Sequence, residues 1–136
     1  MGAWSHESFG NDDAADWVAE LEEHDDFGFV EAAIDAVIDA GDDDLEAPEA
    51  SQAIAAAEVV ARARGRFGTR DAASEAVDAW VERIQSVPPA TVIDKARRAL
   101  DRILTAPSEL MELWQESDES DAWQAAVKAL RVRVGS

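Results

Sequence analysis

Ala47-Pro48-Glu49-Ala50-Ser51-Gln52-Ala53-Ile54-Ala55-Ala56-Ala57-Glu58-Val59-Val60-Ala61-Arg62-Ala63-Arg64-Gly65 reads as one helix from end to end. Proline is tolerated only in a first turn and glycine is the usual stop, which sets a helix from about Ala47 to Arg64. Its apolar face consists of Ala50, Ala53, Ile54, Ala57, Val60 and Ala61, nearly all small. Small side chains let helix axes approach closely, so this helix is expected at the centre, packed on several sides.

The same periodicity extends in both directions, and no stretch alternates strictly over a strand's length. The expected fold class is therefore all-α, a compact bundle of about seven short to medium helices with a non-helical N-terminal arm. Upstream, a first helix opens at Asn11 or Asp12, runs to about Glu23 and buries Ala14, Trp17, Val18 and Leu21. A second, from about Asp26 to Ala40, buries Phe29, Val30, Ala33, Ile34, Val37 and Ile38 and stops at Gly41. Downstream, a fourth spans about Asp71 to Gln85 with Val77, Trp80, Val81 and Ile84 inward, until Pro88-Pro89 breaks it. A fifth, about Ala90 to Leu104, buries Val92, Ile93, Ala96, Leu100, Ile103 and Leu104, with the pairs Asp94–Arg98 and Arg98–Asp101 on its wet side. A short sixth begins at Pro107-Ser108, and a seventh near Ser120 buries Trp123, Ala126, Val127 and Leu130. Short connections favour antiparallel neighbours. The 136 residues suit one domain, 1–136, with residues 1–10 as an arm clamped on the bundle by Trp4 and Phe9.

Thirty acidic against twelve basic residues give a formal charge of −18. The excess is polarised: residues 1–61 carry eighteen acidic side chains and no lysine or arginine, whereas residues 62–136 carry twelve of each sign. A general salt adaptation would spread carboxylates over every surface. Without cysteine, disulfides, thiolate metal sites and cysteine nucleophiles are excluded. No segment approaches the roughly 20 apolar residues of a membrane span, and the N-terminus lacks a signal-peptide layout, so the cytoplasm is the expected compartment.

The opening Met1-Gly2-Ala3-Trp4-Ser5-His6-Glu7-Ser8-Phe9-Gly10-Asn11-Asp12-Asp13-Ala14-Ala15-Asp16-Trp17 resembles the start of the bacterial family catalogued as domain of unknown function 4259. Gly-x-Trp and Phe-x-Asn-Asp-x-Ala-x-Asp-Trp carry the likeness, with Glu46-Ala47-Pro48-Glu49-Ala50, Ala55-Ala56-Ala57-Glu58-Val59-Val60 and Leu113-Trp114 with Trp123 further on. Ser5 stands where the family pattern has glycine. The resemblance implies a small soluble bacterial domain and brings no activity, substrate or catalytic residues.

Asp12-Asp13-x-x-Asp16 matches the aspartate-rich pattern that holds magnesium diphosphate in prenyl-transferring enzymes. A chain of this length can hardly build their large apolar cavity and second acidic cluster while keeping a core, so helix capping is the ordinary explanation. Glu20 to Glu23 and Glu75 to Asp78 resemble in miniature the paired acidic motifs of all-α nucleotide pyrophosphatases, but are too far apart and lack nearby cations for a phosphate. Asp42-Asp43-Asp44 with Glu46 lacks the ligand spacing and glycine of an EF-hand. His6 and His24 form no metal-ligand motif, and no nucleophile-elbow or oxyanion signature is present. Arg62, Arg64, Arg66 and Arg70 could grip phosphate, yet cations at a helix C-terminus or beside carboxylates are routine.

Two acidic stripes remain. Asp12, Asp16, Glu20 and Glu23 follow one face of the first helix, and Glu31, Asp35 and Asp39 one face of the second, leading into Asp42, Asp43 and Asp44. Like charges at (i, i+4) cost about 0.2–0.5 kcal/mol each in an isolated helix. The leading expectation is a non-enzymatic acidic module binding a basic protein partner, of the inhibitor or immunity type and mimicking DNA, without direct nucleic-acid or membrane binding. Its partner-binding residues are Glu20, Glu23, Glu31, Asp35, Asp39, Asp42, Asp43 and Asp44. No catalytic residue and no cofactor is expected. The alternatives are a magnesium or calcium site from Asp12, Asp16 and Glu20, or from the loop at Asp42 to Asp44, acting on a phosphorylated substrate, and a structural domain whose acidity maintains solubility.

Overall fold

The computed structural model describes residues 12–41, 43, 45–66, 72–105, 108–116, 118 and 120–135, apart from the side chains of Asp12, Ala72 and Ala73. Among these residues the chain forms seven helices: α1 (Asp12–Leu21), α2 (Gly28–Asp39), α3 (Ala47–Ala63), α4 (Ala72–Ile84), α5 (Ala90–Ile103), α6 (Glu109–Gln115) and α7 (Ser120–Gly135). The all-helical expectation holds. The N-terminal arm, with Trp4, His6 and Phe9, lies outside the described residues, as does the proposed Asn11 cap.

α3 touches all six other helices. From Ala53 to Arg62 every residue is buried, along with Ala47, Ala50 and Ser51. A helix apolar on every side belongs inside a bundle, and alanines on its flanks keep the neighbouring axes close. Glu46 stands extended before it and Pro48 occupies the first turn. Past its end, Gly65 takes a left-handed φ of +81°; the Gly65 N–H reaches the Arg62 carbonyl and the Arg66 N–H the Ala61 carbonyl, both at 2.9 Å. This paired closure satisfies carbonyls that a terminating helix would otherwise leave bare, and it needs a residue without a Cβ penalty at position 65. Gly41, past the end of α2, likewise takes a left-handed φ of +57°, and its N–H reaches the Ile38 carbonyl at 3.1 Å.

The start of α3 is held by α6. Glu109 Oε1 accepts the Ala47 N–H at 2.7 Å, while the Glu109 N–H donates to the Leu45 carbonyl at 2.8 Å. A carboxylate thus meets the positive end of α3 as well as standing in the first turn of its own helix. Ser108 caps α6, its hydroxyl accepting the Met111 N–H.

Departures from the expected pattern are local. α1 ends at Leu21, two residues early, and α2 begins only at Gly28, leaving Phe27 in the connecting turn. Phe27 is nonetheless buried and meets Trp80 edge-on at 5.7 Å, while Phe29, Ile38, Val81, Ile84, Ile93, Leu104 and Ala126, all expected inward, are only partly buried. The turn carries Phe27 inward before helical spacing applies. Trp17, Trp80, Trp114 and Trp123 are core residues as expected, with the last two stacked at 6.1 Å. Asp101 forms its ion pair with Arg131 of α7, at 2.5 and 3.1 Å, instead of with Arg98, so an expected intrahelical contact becomes a helix-to-helix one.

Candidate functional site

The acidic first half of the chain is met by cations from the second half. Lys95 of α5 lies between Glu31 and Asp35 of α2, at 2.9 and 3.1 Å. The like-charge penalty of that stripe is therefore relieved by a cation sixty residues away. Arg102 donates to the carbonyls of Gly41, Asp43 and Thr105, holding the turn after α2 through its backbone. Arg83 of α4 pairs with Asp25 at 2.6 Å and donates to the carbonyls of Glu22 and His24.

The hydrogen bonds that Lys95 donates to Glu31 and then to Asp35 raise its pKa above the ordinary 10.5. A raised folded-state value means that the ammonium's contribution is complete below the unfolded pKa and is lost as pH rises through the folded one. Lys95→Met is accordingly expected to lower the melting temperature modestly and equally across neutral and mildly alkaline pH. Above about pH 10.5 the gap to the parent protein should close. Thermal melts of both proteins across that range check it; a gap that widens with pH would refute the assignment.

Among the described residues, pairing does not reach the α1 stripe. Asp16, Glu20 and Glu23 are exposed, as is Asp39 at the end of α2, and none forms an ion pair among the described residues. Asp43 is exposed in the turn held by Arg102. Asp42, Asp44 and the Asp12 side chain lie outside the described residues. Of the eight expected partner-binding residues, Glu31 and Asp35 thus serve the α2–α5 contact, whereas Glu20, Glu23, Asp39 and Asp43 face solvent.

Asp16 and Glu20 border a groove of about 290 Å³ between α1, α2 and α3, lined also by Trp17, Phe29, Ala32, Ala33, Ala36 and Gln52. Trp17 and Phe29 form its aromatic wall, with centroids 5.1 Å apart at an interplanar angle of 15°, and His24 stacks on Phe29 in turn at 4.4 Å and 7°. Phe29, Ala32, Ala36 and Gln52 were not expected at a site. Their signal was the alanine run on the flank of α2, where a helix edge without bulk leaves a furrow beside the first acidic stripe.

A family model described as a domain of unknown function (DUF4259) matches residues 2–126. The chain belongs to the DUF4259 family. No curated protein and no solved structure matches it. Within this DUF4259 domain, no group of three or more histidine, aspartate or glutamate side chains among the described residues is placed to hold a metal ion. Nor is any described helix long and apolar enough to cross a membrane.

The arginine-rich end of α3 in the DUF4259 domain has a structural use. Arg62, 2% exposed, bonds Glu58 at 3.0 Å and Asp78 of α4 at 2.8 Å. Glu58 also receives both terminal nitrogens of Arg133 from α7, at 2.5 and 2.9 Å. Arg64 donates to the Val134 carbonyl and Arg66 to the Arg133 carbonyl at 3.2 Å. These cations thus satisfy the C-terminus of α7, not that of α3, near which they lie in sequence.

Proposed function

We propose that this DUF4259 domain is a non-enzymatic interaction module whose acidic α1 face binds a basic protein partner in the cytoplasm. The observation that carries the reading is the unequal neutralisation just described. Lys95 neutralises Glu31 and Asp35 of the α2 stripe, while Asp16, Glu20, Glu23 and Asp39 stay exposed and without ion pairs among the described residues. A net charge of −18 with its excess in one half of the chain produces a polarised field. Such a field speeds encounter with a complementary surface and disfavours nucleic acid.

The test is binding of basic proteins recovered from a lysate at low salt, measured with purified components at two salt concentrations. Affinity is expected to fall at least about tenfold between roughly 50 and 300 mM salt, because exposed charges more than a Debye length apart are screened. Reversing Asp16, Glu20 and Glu23 to lysine should weaken binding comparably, whereas reversing the exposed Glu112 of α6 should not. Unchanged binding after reversal along α1 would remove the reading. Saturable uptake of magnesium or calcium tighter than about 100 µM in calorimetry would replace it with a metal-binding role.

A further inference from the structure

The groove beside α1 differs from a generic acidic surface in having apolar walls. At about 290 Å³ it lies at the lower edge of the ~300–1,000 Å³ typical of small-molecule sites and has room for one long side chain. Its walls are apolar where Ala32, Ala36 and Trp17 line it, and two carboxylates one helical turn apart stand at its edge. At that spacing the Cβ atoms of Asp16 and Glu20 are about 6 Å apart, on one face of α1. Gln52 adds a side-chain amide.

We propose that this groove takes the side chain of an arginine in a basic partner segment, an inference that rests on the interaction-module reading above. Its aliphatic stem lies along Ala32, Ala36 and the Trp17 edge, and its guanidinium reaches Asp16 and Glu20. Arginine is selected over lysine because its planar fork of five donors can serve two carboxylates and the Gln52 carbonyl at once, while an ammonium is a compact, strongly hydrated point charge. The two carboxylates at its edge provide the recognition. A second copy of this chain is a poor occupant, since both copies carry −18.

The test is a nuclear magnetic resonance titration of the full chain with hexa-arginine amide at low salt, alongside hexa-lysine amide and an Ala36→Leu variant. Leucine matches alanine closely in helix propensity and keeps the charge at −18, but fills the groove. The Trp17 indole and Gln52 side-chain signals are expected to shift to saturation with hexa-arginine. Ala36→Leu should weaken that binding at least about tenfold, and hexa-lysine should bind several-fold less tightly, as loss of one buried charge-assisted contact implies. Equal affinity for parent and variant, with shifts scattered over exposed carboxylates, would overturn the groove while leaving the acidic module standing. Overhauser contacts from Trp4 or Phe9 to Gln52 that persist at saturation would overturn it as well, by showing the groove filled from within the chain. Absence of any salt-dependent binding, by hexa-arginine and basic proteins alike, would overturn both.

Discussion

Replacing Glu58 by glutamine is expected to destabilise the fold by about 3–5 kcal/mol, a large part of the roughly 5–15 kcal/mol that holds a domain together. The Glu58 side chain is 4% exposed and accepts from Arg62 and from both terminal nitrogens of Arg133. An amide of the same shape can accept at one oxygen only and carries no charge. It leaves the Arg62 guanidinium, itself 2% exposed, with half its compensation. Desolvating an uncompensated charge costs several kcal/mol even after relaxation. Asp78→Asn should cost less, because its carboxylate is 17% exposed and water can replace part of what is lost. Chemical denaturation of the three proteins measures the series.

The same network predicts its own rescue. Substituting Glu58, Arg62 and Arg133 together by methionine removes the three most buried charges and leaves only Asp78, 17% exposed and open to water; whole buried ion pairs exchanged for apolar residues are often neutral or stabilising. The triple variant is expected to be more stable than Glu58→Gln alone. A network this expensive to break and inexpensive to delete contributes through specificity: it fixes α7 against α3 in one register, since sliding by a turn would strand Glu58 without Arg133. If Glu58→Gln lost less than about 1 kcal/mol, that account of the α3–α7 contact would be wrong.

Helix number and order follow from the sequence because the signals are local. Pro48, Gly41, Gly65 and Pro88-Pro89 act within a turn of themselves, and apolar spacing at 3.6 residues says which side of each helix turns inward. Tertiary effects were harder to read. Phe27 becomes core through the shape of a turn, and Asp101 prefers an arginine on another helix. The burial of Glu58 and Arg62 could have been read: a helix apolar on every side leaves no wet face for its charges, so any charge at its middle must be buried and paired. For the site, the acidic stripes were visible, but their division was not. Lys95 lies sixty residues from the carboxylates it neutralises, and no spacing rule links them. The groove depends likewise on how closely α1, α2 and α3 approach, a matter of packing beyond local pattern.

Trp80→Ala is expected to cost about 3–5 kcal/mol and also to loosen the wall of the groove, although Trp80 does not line it. Trp80 is 2% exposed, and its indole N–H donates to the His24 carbonyl at 2.7 Å while its ring receives the edge of Phe27. It therefore anchors the turn between α1 and α2 to α4. That turn presents His24 to Phe29, and Phe29 to Trp17, so the stacked wall is positioned from behind by a residue of another helix. Truncation removes the largest fully buried side chain among the described residues, and the turn loses a tether it shares with Arg83. Trp80→Phe keeps most of the apolar contact and loses the hydrogen bond, for an expected cost of about 1–2 kcal/mol. The Phe29 and His24 ring resonances should broaden or shift in the alanine variant and change little with phenylalanine. If the alanine variant unfolded at much lower denaturant yet kept parent-like ring shifts while folded, the wall would be set by α1 and α2 alone.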